Sequence, residues 1–343
     1  MRKELLILVV LVGIGLLIAG CAQQQPKATP TPAPAATPTP TPVTTSVAKY
    51  PSKSITYIIP FNPGGQSDIE ARRQQPYLEK YLGVPIIITY KPGAGGAVAW
   101  AELTRTEPDG YTIYGINIPH IILQPLVKDV GYTTDQIKPV ALFQRTPIGL
   151  AVPIDSPFNS VEDIIEYAKE NPGKITVGGS GTYTGHHITL LQFEKLTGTK
   201  FTYVPFTGAA PQMQAILGGQ VDAVFANSND LVKYSGKQIK VLAIATEERF
   251  PTLPDVPTFK ELGIDLVESI DRGVGVPKNT PDDIVKVLES AFLKITQNPD
   301  VRKTMEEEGF VPLSMGSKEA KAYINEKVKV YKEILKEVGA LKS

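Results

Sequence analysis

The sequence predicts an α/β protein of two lobes, and three observations carry that prediction. Short β-branched runs alternate with helical stretches along most of the 343-residue chain. Glycine-rich polar loops follow the strand ends. Two extended stretches, Val140 to Val152 and Leu266 to Val276, separate one set of these units from another. Alternation of strand and helix implies parallel sheets with helices on both faces. Two lobes joined by two extended crossings leave a cleft, and ligands of such sheets bind outside the carboxyl ends of the strands.

The N-terminus stands outside that pattern. Arg2 and Lys3 precede an apolar run from Leu5 to Ala19, then Gly20 and Cys21. Residues 1–20 read as a secretory signal peptide, and Ile18-Ala-Gly-Cys21 resembles a bacterial lipobox, in which the cysteine becomes the lipidated first residue. An uncleaved membrane anchor is the other reading of the run, and both put the body outside the cytoplasmic membrane. Residues 21–49 are rich in Pro, Thr, Ala and Gln, which cannot bury a core and predict an extended tether.

The globular chain begins near Tyr50-Pro51. Ile55 to Ile59 is a β-branched and aromatic run that predicts a buried strand. Pro60-Phe-Asn-Pro-Gly-Gly65 ends it, because the prolines remove donors and the glycines permit positive φ. Ser67-Asp-Ile-Glu70 has the spacing of a capping box and predicts a helix start at Ser67. The unit recurs: strand Pro85 to Thr89, loop Lys91-Pro-Gly-Ala-Gly-Gly96, helix through Trp100 to Thr104. Pro108-Asp-Gly110 then turns into a strand from Tyr111 to Ile116.

After the first crossing, Val161 to Glu170 has helical periodicity and stops at Asn171-Pro-Gly173. Ile175 to Val177 leads into Gly178 to His187 and a helix to Leu196. Phe201 to Val204 leads into Pro205 to Pro211 and a helix closed by Gly218-Gly219. Val221 to Phe225 leads into Ala226-Asn-Ser-Asn229, and Val241 to Ala245 is a further strand. Helices near Pro281–Gln297, Pro299–Glu308 and Lys318–Val338 follow the second crossing and would rejoin the first lobe. The expected lobes are residues 50–147 with 268–343, and 148–267.

Composition narrows function. Lys+Arg 35 balances Asp+Glu 35, so no electrostatic footprint for nucleic acid is present. One cysteine, Cys21, excludes an internal disulfide, and three histidines without a second cysteine offer little for zinc. Gly-x-Ser-x-Gly fails around Ser180 because Thr182 occupies the second glycine position, and the dinucleotide fingerprint fails at Val98. No Walker loop and no His-Glu-x-x-His is present. The glycine loops therefore read as binding without chemistry, with no metal and no cofactor.

A helix N-terminus after a glycine turn presents unpaired backbone N–H groups and suits an anion. The first loop offers Phe61, Asn62, Gly64, Gly65, Ser67 and Asp68, and the second Gly95 and Gly96. The third offers Ser180, Gly181, Thr182, Tyr183 and Thr184. Thr207, Gly208 and Asn227 come from the loops after the next strands. The hydroxyls of Ser180, Thr182 and Thr184 fit either a ligand or capping and turn roles. Arg272, on the return crossing, would pair with a carboxylate if it faces the cleft, and is a solvated hinge arginine otherwise. His120 and His186 read as structural or exposed, Asp222 as a turn or strand-start residue, and Trp100 as core.

The same residues carry a family resemblance. Pro60-Phe-Asn-Pro-Gly-Gly-Gln-Ser-Asp68, Lys91 to Gly96 and Pro108-Asp-Gly-Tyr-Thr112 resemble blocks of the solute receptors of tripartite tricarboxylate transporters, the Bug family. Asn171-Pro-Gly-Lys174, Val204-Pro205 with Gly208 and Ala210-Pro211, and Leu253 to Gly263 match later blocks in order. The resemblance implies a type II periplasmic-binding-protein fold, capture of a small organic acid, and delivery to membrane permease subunits by a monomer. It also implies a carboxylate held mainly by main-chain N–H groups, hydroxyls and ordered water. His187 matches the family's histidine after the third loop, with a ligand donor role or a packing role open to it. Departures at Asn62, Tyr90, Gly179 to Thr184 and Phe206-Thr207 bear on which acid is bound. A sensor subunit and an exported enzyme are the alternative readings.

Overall fold

The structure, a computed structural model, describes residues 50–341; the expected signal peptide, Cys21 and the tether lie outside the described residues. The first units are β1 (Ile55–Ile59), α1 (Gln66–Leu82), β2 (Ile86–Tyr90), α2 (Ala97–Leu103), β3 (Thr112–Ile118) and α3 (His120–Val127). A long strand, β4 (Ile137–Pro153), follows. The next units are α4 (Val161–Glu170), β5 (Thr176–Gly179), α5 (Gly185–Thr197), β6 (Thr202–Pro205), α6 (Ala209–Leu217), β7 (Ala223–Asn227), α7 (Ser228–Tyr234) and β8 (Ile239–Ile244). The second long strand, β9 (Ser269–Pro277), leads to α8 (Asp282–Thr296), α9 (Pro299–Glu307), β10 (Val311–Gly316) and α10 (Ser317–Glu337).

Strand order is β2-β1-β3-β9-β4-β7-β5-β6, with β8 and β10 also paired to β4. The predicted parallel pairs are present: β1 with β2 and β3, and β5 with β6 and β7. The two long crossing strands add antiparallel pairs: β9 runs antiparallel to β3 and β4, and β4 antiparallel to β7, β8 and β10. A strand that carries the chain across must meet the one that carries it back in the opposite sense. Between Pro147, opposite Ser269, and Ile148, opposite Asn227, β4 changes partner from β9 to β7. The two long strands are clamped side by side by Arg145, which donates Nε and Nη2 to Asp271 at 2.7 and 2.8 Å.

Each half of the sheet is covered on both faces. The aromatic core of one face holds Tyr57, Phe143 and Phe292, with the last two rings stacked at 5.7 Å. On the other face Trp100 is fully buried and donates its indole N–H to the Gly115 carbonyl at 2.9 Å. That hydrogen bond removes the penalty of an unpaired polar group in the core. The β5–β8 half packs Phe193, Phe225 and Phe259 on one side and Met213, Ile216 and Leu231 on the other.

One helix start differs from the capping-box prediction. α1 begins at Gln66 with Gly65 as its N-cap and no side-chain cap. Asp68 takes over the turn by accepting the Gly64 N–H at 2.8 Å, while buried Glu70 is held by Arg73 and Gln74 and does not reach back. The Ser160–Asp163 capping box of α4, by contrast, is complete.

Candidate functional site

The loops at the strand ends of the two sheet halves meet. Asn62 Nδ2 donates to Thr207 Oγ1 at 2.7 Å, joining the β1–α1 loop to the β6–α6 loop. Gln66, at the start of α1, donates its amide to Asp230 of α7. Gly181 lies so close to the second loop that a Cβ added there would stand 3.1 Å from Gly95 Cα. Between these contacts is a cavity of about 20 Å³ lined by Phe61, Gly65, Gln66, Ser67, Asn117, His120, Ser180, Ala209, Asn227, Ile270 and Arg272.

The N-terminal ends of α1, α6 and α7 reach this cavity, and the loop into α5 reaches it through Ser180. None of these four helices has a side-chain cap. The first-turn N–H groups of a helix have no intrahelical acceptor, and the helix dipole adds partial positive charge there. Uncapped starts also occur at α8 and α10, so the missing caps mean little alone. Convergence is what distinguishes this place.

Arg272 lines the cavity and is 4% exposed. Its guanidinium donates to Thr146 Oγ1, to Asn227 Oδ1 at 3.2 Å and to the Ile270 carbonyl at 3.4 Å. It makes no ion pair among the described residues, and its Nε has no partner. Burial pulls its pKa down to about 10, against the opposing pull of Asp230, Asp271 and Glu70. Neighbouring Asp271 points to the other side of the strand, as alternation requires, and is spent on Arg145. Asn227 Nδ2, His120 Nδ1 and His186 Nε2 are further buried polar atoms without partners. Buried polar groups are almost always satisfied, so such a cluster marks a place where a polar guest or water completes the bonding.

Both buried histidines are held neutral. His120 stacks edge-on with Phe61 and Trp100, and burial with the nearby Arg272 charge drives its pKa well below 6.5. Burial, then Arg272, brings His186 down to about 4. Gln212 donates its amide to the Phe225 carbonyl at 2.7 Å, so its Oε1, 2.8 Å from His186 Nδ1, must accept. That places the His186 proton on Nδ1, the nitrogen that the Ser180 N–H also faces at 3.3 Å. His120 and His186 are thus buried, as the structural alternative required, and His120 faces the cavity.

Of the residues singled out in the sequence, Phe61, Gly65, Ser67, Ser180, Asn227 and Arg272 come together on the cavity. Others are committed elsewhere. Asp68 accepts from Gly64, Arg72 and Tyr90, so its carboxylate is engaged by the first loop, α1 and the end of β2. Gly64 gives up its N–H to that bond. Gly96 packs on Trp100, and the Gly95 carbonyl accepts from Gln124 at 2.9 Å. Thr184 donates to the Gly181 carbonyl at 2.8 Å, a turn role; Thr182 is exposed. Tyr183 sits at φ 53 and gives its N–H to His187 Nδ1 at 3.1 Å. His187 stacks on Tyr203 with ring centroids 4.2 Å apart, the packing role, and burial takes its pKa to about 4. Gly208 is the N-cap of α6 and lies against Phe61, outside the lining.

Gln66, Asn117, His120, Ala209 and Ile270 were missed. Asn117 had a readable signal: a polar residue inside the apolar run Thr112–Ile118. Strand register sets Asn117, Arg272 and Gln144 abreast on β3, β9 and β4. Gln144 is fully buried with both amide atoms unpartnered. Asp222 proves to be a strand clasp, accepting from the Thr176 N–H and hydroxyl at 2.7 Å each. Among the described residues no group of three His, Cys, Asp or Glu could hold a metal ion.

Comparison with known proteins identifies the family and the fold. The family described as "Tripartite tricarboxylate transporter family receptor" matches residues 70–340. A UPF0065 protein of Cupriavidus necator is 34% identical over 297 residues, covering 86% of this chain and 90% of its own. The solved structure of the periplasmic binding protein BugD superposes with TM-score 0.81 at 27% identity, covering 86% of this chain and 100% of that one. MatC from Rhodopseudomonas palustris, solved with bound malate, gives TM-score 0.79 at 28% identity, covering 83% and 100%.

Proposed function

Since this chain belongs to the receptor family of the tripartite tricarboxylate transporters, a family of solute-binding receptors and not of enzymes, we propose that it captures a small organic carboxylate and delivers it to a membrane permease for uptake. The capture site is the cavity between residues 50–147 with 268–343 on one side and 148–267 on the other. One observation carries the reading: the Arg272 guanidinium is buried, without an ion pair among the described residues, where uncapped helix starts converge. A buried charge without a partner is costly, and a carboxylate placed against it offsets that cost.

Closure follows from the same contacts. The Asn62–Thr207 and Gln66–Asp230 bonds tie the two halves over the cavity, so the ligand enters an opened form and is enclosed afterwards. A ligand that touches both halves stabilises the closed form by its differential affinity. The protein works outside the cytoplasmic membrane, exported by residues 1–20 and anchored through lipid on Cys21, with residues 21–49 as tether. Among the described residues no helix is long and apolar enough to cross a membrane.

A thermal-shift screen of organic acids tests the reading, because a ligand that binds only the folded state raises the melting temperature by mass action. Stabilisation by at least one carboxylate is expected. No shift with any acid, alongside a shift with sugars or metal ions, refutes it.

A further inference from the structure

The end of the molecule remote from the cavity carries a second concave surface, and it is basic. Arg272 and Asn117 stand at the cavity end of β9 and β3, whereas Ile137 of β4 pairs with Pro277 at the far ends of the two long strands. There α8 and α10 wall a groove of about 980 Å³. Ser317, Lys321, Ile324, Asn325, Val328 and Lys332 line it from one face of α10 at helical spacing, so the groove follows that helix for about 22 Å. Leu126, Ile137 and Val285 join Ile324 and Val328 in an apolar floor.

Six lysines line this groove against three acids, Asp135, Asp282 and Glu289. The acids are already engaged: Asp282 by Lys138, Asp135 by Lys278 at 2.7 Å, and Glu289 by the Ser317 N–H at 3.2 Å. Lys286, Lys318, Lys321 and Lys332 are exposed and make no ion pair among the described residues. Unmatched like charges around an apolar floor suit an anionic amphiphile, which neutralises the rim and covers the floor. The chain also enters beside this groove. Tyr50 Oη donates to the Gly110 carbonyl at 2.7 Å, and Gly110 lies against Ile284 of α8, next to Val285 and Lys286 of the groove wall. The 28 residues 22–49 separate that point from Cys21.

Resting on the reading of Cys21 as a lipid anchor, we propose that the groove seats on the anionic surface of the membrane, with its lysines on lipid phosphates and its floor on the glycerol and first acyl carbons. The tether holds the body near the bilayer at high effective concentration, so a modest basic contact is enough to seat it. Each lysine beside an anionic surface is worth about fivefold in affinity. Entry of the chain at this end favours lipid over an acidic protein segment as the occupant.

Lysine labelling by a neutral amine-reactive reagent, read by mass spectrometry, tests this. The full chain is held through its N-terminal segment on vesicles of phosphatidylcholine, alone or with about 30% phosphatidylglycerol. Lys286, Lys318, Lys321 and Lys332 are expected to label about fivefold more slowly on the anionic vesicles, while exposed Lys169 and Lys237 of the other half label equally on both. About 0.5 M NaCl should erase the difference. In the protein carrying Lys286→Gln, Lys318→Gln, Lys321→Gln and Lys332→Gln, Lys278 of the same groove should lose its protection, with the melting temperature unchanged. Equal groove labelling on both vesicles overturns the proposal, leaves the anchor reading standing and gives the groove to an acidic protein segment. Slowing spread evenly over all lysines, or Lys278 protection that survives the four substitutions, overturns it too. Failure of the full chain to attach to either vesicle would take the anchor reading down with it.

Discussion

Replacing Arg272 by methionine separates a ligand anchor from a structural staple. The substitution keeps an unbranched, buried side chain and removes the charge. In the folded protein burial lowers the Arg272 pKa from the ordinary guanidinium range to about 10. At ~1.36 kcal/mol per pKa unit, the environment opposes the cation by about 3 kcal/mol. Methionine relieves that and gives up the bonds to Thr146, Asn227 and the Ile270 carbonyl. At about 1 kcal/mol each, those losses nearly offset the gain. The unliganded protein should therefore melt within about 5 °C of wild type. Binding should behave otherwise. Leaving a buried carboxylate without its cation costs about 3–5 kcal/mol, a loss of roughly 10²- to 10⁴-fold in affinity. Calorimetric titration with the best acid of the screen, beside a melt without ligand, reads both quantities. Affinity within about threefold of wild type refutes the anchoring role. A collapse of the unliganded melting temperature refutes the energy balance instead.

Two further substitutions probe the frame of the site. In Gly96→Ala the new Cβ would stand 2.5 Å from the Trp100 ring at a backbone φ of +99, so strain and overpacking of about 3 kcal/mol are expected; an unchanged melting curve would show that this loop does not rest on the indole. His186→Gln tests the buried imidazole. Its pKa falls from 6.5 to about 4 on folding, so the stability it contributes is complete above pH 6.5 and is lost as pH drops toward 4. Urea unfolding at pH 7.5 and 4.5 should show wild type losing about 2–3 kcal/mol more than the variant over that interval. Equal losses would mean that His186 is not buried neutral.

The elements were legible in the residues because their causes are local. Ile55 to Ile59 is a strand through its β-branched run, and α4 is a helix through its apolar spacing and the Ser160–Asp163 box. The helices after the second crossing were readable for the same reason. Shorter pieces escaped. α3 and α7 follow strands with no separate start signal, and β10 carries Pro312 and a register shift against β4. Ser67 shows the limit of a local rule: Asp68 reaches Gly64 first, and the Ser67 hydroxyl turns to Asn117 at 3.4 Å.

By itself the sequence determined an α/β chain with glycine turns after its strands and two extended crossings, since backbone preference and side-chain period act over a few residues. Only the tertiary structure decided that Asn117, Arg272 and Gln144 stand abreast, that Asn62 meets Thr207, and that Gln66 meets Asp230. Those facts depend on strand order and register between residues more than a hundred positions apart. No window of sequence contains both partners of such a contact.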